Sequence, residues 1–213
     1  MRRRTWLTLP LVLSGCGGFL SERAYVPTRE WPLLVTRPSV SPPPPDAPVL
    51  AVRSLRAAPG LEVRGLPTLE RDGSLTRASY EEWLVPPGEG VEDALRRWLA
   101  ASGLYSAVLA PGSRVIADQI LEGELTALWI DERDGLAHAG LGLVVLAGGE
   151  QQRLVLQQTF AATAPASGTD AADAVAALRQ ALQRLFADIE AALRRAGPLR
   201  RADPRSPGSP RKG

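Results

Sequence analysis

Cysteine and histidine each occur once in this chain of 213 residues, and only 5% of its residues are aromatic. A single cysteine, Cys16, excludes a disulfide within the chain. The lone His138 has no second histidine and no nearby cysteine with which to share a metal. No apolar run approaches the roughly 20 residues that a helix needs to cross a bilayer. Phosphate-loop chemistry is unsupported, because "GLGLVVLAGG" has glycines but no lysine and no following helix. Nor do "GSR" and "SGT" provide the frame of a nucleophile elbow. These absences argue against an enzyme.

The basic balance is also less than it looks. The chain carries 25 basic and 23 acidic side chains and a sequence pI near 9.1. Arg2, Arg3 and Arg4 lie at the start, and Arg200, Arg201, Arg205, Arg211 and Lys212 near the end, against Asp203 alone. Between Cys16 and Pro198 there remain 17 basic and 22 acidic groups. Such a body has no broad attraction for nucleic acid.

What the chain does have begins at its start. "MRRRTWLTLPLVLSGC" sets three arginines before a short apolar stretch, Trp6 to Leu13, then small residues and Cys16. That is the order of a secretory leader. Leu13-Ser14-Gly15-Cys16 resembles the lipobox of bacterial lipoproteins. The resemblance implies a leader over residues 1–15 and a Cys16 that carries diacylglycerol and an N-acyl chain, with no other cofactor. Several acyl chains suffice for stable attachment, since each buried methylene contributes about 0.8 kcal/mol. Gly17 stands where an aspartate would resemble an inner-membrane retention signal, which favours the periplasmic face of the outer membrane.

Nineteen prolines are unevenly spread. Residues 16–48 include "PSVSPPPPDAP", which reads as an extended polyproline-type tether. Within it, "WPLLVT" is apolar enough to dock as an edge strand. A folded body is expected over residues 49–197, and a disordered basic tail over 198–213. In the body, "VLAVRSL" alternates as a strand, and "LEVRGLPTLER" is a second extended piece before a turn at Asp72-Gly73. A helix follows from Val91, with Val91, Ala94, Leu95, Trp98 and Leu99 on one stripe and Gly103 as its stop. Three long alternating runs with short turns then argue for an antiparallel meander. In the first of them Leu121, Gly123, Leu125, Ala127 and Trp129 are expected to share the core face. A second helix begins at Thr169 or Asp170 and ends at Gly197-Pro198. The expected fold is α+β: two helices packed on one face of a mainly antiparallel sheet.

Few residues suggest chemistry. Glu122 and Glu124 share a strand face and could place two carboxylates in one site, but such a pair is ordinarily a solvated sheet face. His138 reads as a sheet-surface residue. Trp98 and Trp129 fall on core stripes. Tyr80 and Trp83 sit in "ASYEEWLVPP", read as a polar connection before the first helix, and are the candidates for partner contact.

The order of these parts is similar to the ABC-type transport auxiliary lipoprotein family, which includes the paraquat-inducible protein C lipoprotein. The likeness runs from Leu13 to Ala196: lipobox, Tyr80, Trp83, Pro86, an amphipathic helix, a meander and an alanine-rich helix. Extra prolines around "WPLLVT" and the basic tail depart from the pattern. The resemblance implies a non-catalytic subunit that docks a bridging protein carrying mammalian cell entry (MCE) domains. That protein works with a permease and an ATPase to move lipid between two membranes. A homo-oligomer would fit the same resemblance. The rival expectation is an assembly lipoprotein that plugs or chaperones an outer-membrane β-barrel.

Overall fold

The computed structural model describes residues 25–148, 152–168 and 170–197. Along them run β1 (Arg29–Trp31), β2 (Val49–Ala57), β3 (Gly65–Leu69), β4 (Leu75–Trp83), α1 (Pro87–Ala101), β5 (Ala107–Leu109), β6 (Gln119–Asp131), β7 (Leu136–Ala147), β8 (Arg153–Pro165) and α2 (Ala171–Ala196). Both helices pack on one eight-stranded sheet through a common apolar core, so the α+β expectation holds.

The sheet is mixed rather than mainly antiparallel. Its long ladders, β6 with β7 and β7 with β8, are the expected antiparallel meander. Its other wing is largely parallel: β2 pairs parallel with β5 and β6, β3 with β6, and β1 with β4. The reason is α1, which carries the chain back so that β6 starts at the same end as β2. One edge of β6 is then shared. β2 takes Gln119 to Leu125, and β3 takes Ile130 and Asp131. The body thus has a Gln119 end and an Asp131 end. By these pairings β1 runs opposite to β6, and the chain enters the body from the Asp131 end.

A bulge in β6 changes which residues face the core. The register slips between Leu125 and Ala127, which turns the alternation over. Leu121, Leu125 and Leu128 are buried, whereas Trp129 lies on the open face against His138. Strict period-two counting could not foresee this inversion: Leu128 takes the fully buried place, and Trp129 is partly buried at the margin of the core.

The first helix starts earlier than its apolar stripe suggested. Pro87 occupies the first turn, where a missing N–H costs nothing. Gly88 and Gly90 follow because the helix is pressed against its neighbours. A Cβ on Gly88 would sit 3.0 Å from the Leu55 carbonyl, and one on Gly90 would sit 2.7 Å from Leu33 Cδ1. In α2, Asp170 is the N-cap, its carboxylate accepting from the Asp173 N–H at 2.8 Å, and Gly197 follows with φ of 74°.

Much of the proline-rich arm is not a free tether. After β1 it becomes a strap that runs between α1 and α2. Leu33 and Val35 are buried there. Arg179 of α2 donates to the Pro32 carbonyl at 2.6 Å, and Arg97 of α1 to the Leu33 carbonyl at 3.4 Å. Farther on, the Ser41 N–H donates to the Ala101 carbonyl at the end of α1.

Gly123 tests this packing. A side chain there would collide with the Gly142 carbonyl and lie 2.6 Å from Leu143 Cδ2 on the paired strand. Gly123→Ala is expected to lower unfolding stability by about 1–3 kcal/mol, read by chemical denaturation.

Candidate functional site

The structure separates the two residues expected to meet a partner. Both lie on a strand, β4, rather than in a connection. Tyr80 is 50% exposed, whereas Trp83, at the end of β4 beneath α1, is 0% exposed. Enclosed in this way, Trp83 presents no surface to a partner, and its part in the contact is corrected to a core role. Around Tyr80 the wing is held by charge. Trp31 Nε1 donates to Glu81 at 2.7 Å, Arg29 stacks over the Trp31 ring at 4.6 Å, and Arg64 bridges Glu30 and Glu82. Cys16 lies outside the described residues.

Glu122 and Glu124 stand on the open sheet face, where Arg53 pairs with Glu122 at 3.3 Å. His138 is on the same face, stacked on Trp129 with ring centroids 6.5 Å apart. Ligand atoms of Asp131, Asp134 and His138 lie within 4.8 Å of one another. A cation is already in place, however. Arg133 grips both Asp131 oxygens, with Nε 2.9 Å from Oδ1 and Nη2 2.6 Å from Oδ2. Hydrogen bonding from Arg133 holds the Asp131 carboxyl down to about 2. A metal would have to displace that guanidinium, so the cluster is best read as the ionic closure of the β6–β7 turn.

The most developed polar site was missed by sequence reading. Glu190 of α2 is a buried carboxylate. Arg37 of the strap donates to it twice, from Nε at 2.9 Å and Nη2 at 3.1 Å. Trp98 of α1 donates from Nε1 at 2.8 Å, and Arg194 from Nη2 at 2.7 Å. Trp98 also packs edge-on against Phe186. Burial alone would raise the Glu190 pKa, but the hydrogen bonds from Arg37, Arg194 and Trp98 outweigh it and leave it below the ordinary glutamate value. Beside this clamp a groove of about 770 Å³ opens between the strap and α2, lined by Arg37, Pro38, Trp98, Ala187 and Arg194 among others. A faint signal existed in the sequence. Glu190 sits on the stripe between Phe186 and Leu193, and an acid there demands partners.

Two predictions follow from this geometry. Trp83→Ala is expected to cost about 3–5 kcal/mol, and Tyr80→Ala less than about 0.5 kcal/mol, by denaturant titration. Glu190→Gln should destabilise by about 3 kcal/mol, because Arg37 loses its counter-charge in a largely enclosed place. The pH dependence has a definite sign. A carboxyl depressed on folding contributes fully above its unfolded value of 4.5 and loses that contribution as pH falls. Thermal melts near neutral pH should therefore separate wild type from Glu190→Gln, and melts below pH 4.5 should bring them together.

No curated protein matches the chain. Among solved structures, a DUF330-family protein from Xanthomonas campestris is 24% identical, with a TM-score of 0.62 over 76% of this chain and 92% of that one. An uncharacterized protein aligns at 14% identity and a TM-score of 0.64, covering 78% and 99%. A hypothetical protein from Chlamydia trachomatis aligns at 13% and 0.50, covering 71% and 97%. These likenesses establish the fold. The family model of the ABC-type transport auxiliary lipoprotein component matches residues 33–190, from the buried Leu33 of the strap to the Glu190 that clamps it, and the chain belongs to that family.

Proposed function

We propose that this protein is a non-catalytic accessory subunit of an ABC-type system that moves lipid between the inner and outer membranes. Acylated Cys16 tethers it to the periplasmic face of the outer membrane. The body docks an MCE-domain bridging protein, which brings the permease and the ATPase. It needs no cofactor beyond its own lipid.

One observation carries the reading: the family match, residues 33–190, spans the strap and the body from β2 into the second half of α2. The polar chemistry supports it. Glu122 is paired with Arg53, Asp131 with Arg133, and Glu190 with three donors. Groups so engaged hold the fold together and are poorly placed to act as acid or base. Tyr80, half exposed on a strand close to the edge, remains available for docking.

Affinity purification of the tagged lipoprotein from native membranes, with mass spectrometry of its N-terminal peptide and partners, tests this directly. The expected outcome is acylated Cys16 together with a bridging protein and its permease. Recovery of an outer-membrane β-barrel in their place would transfer the protein to the assembly-factor class. An unmodified thiol would remove the anchor.

A further inference from the structure

The Gln119 end of the body carries a surface that the docking role does not use. Residues 110–118 form a loop between β5 and β6, and its tip is Val115-Ile116. Ile116 is 85% exposed and Val115 59%. Adjacent branched apolar residues in water are costly unless something covers them in function. The tip is firmly presented. Asp118 at its base accepts from the Val49 N–H at 2.8 Å and donates its own N–H to the Val49 carbonyl at 2.9 Å. The Gly148 N–H, at the end of β7, donates to the Asp118 carbonyl at 2.7 Å.

The apolar surface continues onto the open sheet face. Ala51, Ile120, Leu146 and Leu154 are successive cross-strand partners on β2, β6, β7 and β8. They form a row across the sheet beside the loop, and Leu154 is 52% exposed.

Cations surround this end. Arg114 adjoins the tip, and Arg153 adjoins Leu154. The last turn of α2 brings Arg195 to the same end, next to an Arg194 already engaged by Glu190 and the Ser102 carbonyl. Of the acids nearby, Asp118 is engaged by β2, Asp46 is likewise partnered, and Glu150 lies outside the described residues.

We infer that the Gln119 end is a membrane-contact face for anionic phospholipid. Val115 and Ile116 enter the interfacial layer, and the arginines lie among the phosphates. An exposed apolar loop with arginines on neighbouring elements is a combination that holds proteins at such interfaces. β1 runs toward this end from the Asp131 side of the body, so the contact uses none of its residues.

The chain from Gly17 to Gly213 contains every described residue and lacks both the leader and the acylated cysteine. It should co-sediment with vesicles of phosphatidylethanolamine and phosphatidylglycerol, and on the order of ten-fold more weakly with phosphatidylcholine vesicles. Added salt should weaken the binding. Val115→Asp with Ile116→Asp should reduce it by on the order of ten-fold, with an unchanged thermal transition. No vesicle binding, or binding that the double variant leaves intact, overturns the inference. So does a photo-crosslinker at position 116 that labels a protein in cells and not lipid.

Discussion

The strap between the two helices is the constraint on which the rest of the body depends. α1 and α2 lie over different wings of the sheet, α1 over β2 and β5 and α2 over β7 and β8, and they touch each other little. The space between them is filled by Leu33 and Val35, and the whole is locked by Arg37, Glu190 and Trp98. One carboxylate therefore joins the strap to both helices. Apolar burial supplies most of the stabilisation, about 25 cal/mol for each Å² removed from water. The ion cluster supplies position, because a bidentate guanidinium pair fixes both distance and orientation.

Sheet geometry then sets what each end can present. With β2 and β3 sharing one edge of β6, the sheet widens toward the wing that holds β4 and β1. The wing's outer strands receive little helical cover, so β4 exposes Tyr80 while only its last residue, Trp83, reaches the core. Its cohesion comes from cross-strand ion pairs and from Trp31 on Glu81, contacts that weaken with salt more than the core does. The meander wing is the opposite case. β7 buries Ala137, Ala139, Leu141, Leu143 and Val145 against α2, and its open side carries His138, Gly140, Gly142, Val144 and Leu146.

Periodicity made the larger architecture legible. Both helices, the three long strands and the antiparallel meander follow from apolar spacing and from the turn at Asp134-Gly135. Three features were hidden for physical reasons. Parallel pairing leaves no mark in the alternation of a strand, so the mixed sheet could not be separated from an antiparallel one. The β6 bulge inverts faces without altering composition, so Leu128 is fully buried and Trp129 only partly. Pro87-Gly88-Glu89-Gly90 lies ahead of the apolar stripe that begins at Val91, yet it is helical, and glycine there permits close approach to Leu55 and Leu33. Tyr80 and Trp83 were rightly singled out as aromatic, but a strand's alternation decides exposure, and it sent one outward and the other inward. The Glu190 clamp lay furthest from view, since Arg37 is 153 residues away in sequence.

Acylation at Cys16, as proposed, would make the strap the mechanical link between lipid and body. Tension on the arm is met first at β1, whose three residues pair with β4 and whose Arg29 and Trp31 both hold Glu81. It is met next at Leu33 and Val35, and then at the Arg37–Glu190 pair. The strap and β1 run along the load, so their contacts are strained together rather than peeled one at a time. A proline-rich segment suits that task. It is already extended, it has few N–H groups to leave unpaired, and it loses little entropy on docking. The same prolines that mark the arm as a tether in sequence are what allow its inner half to serve as part of the core.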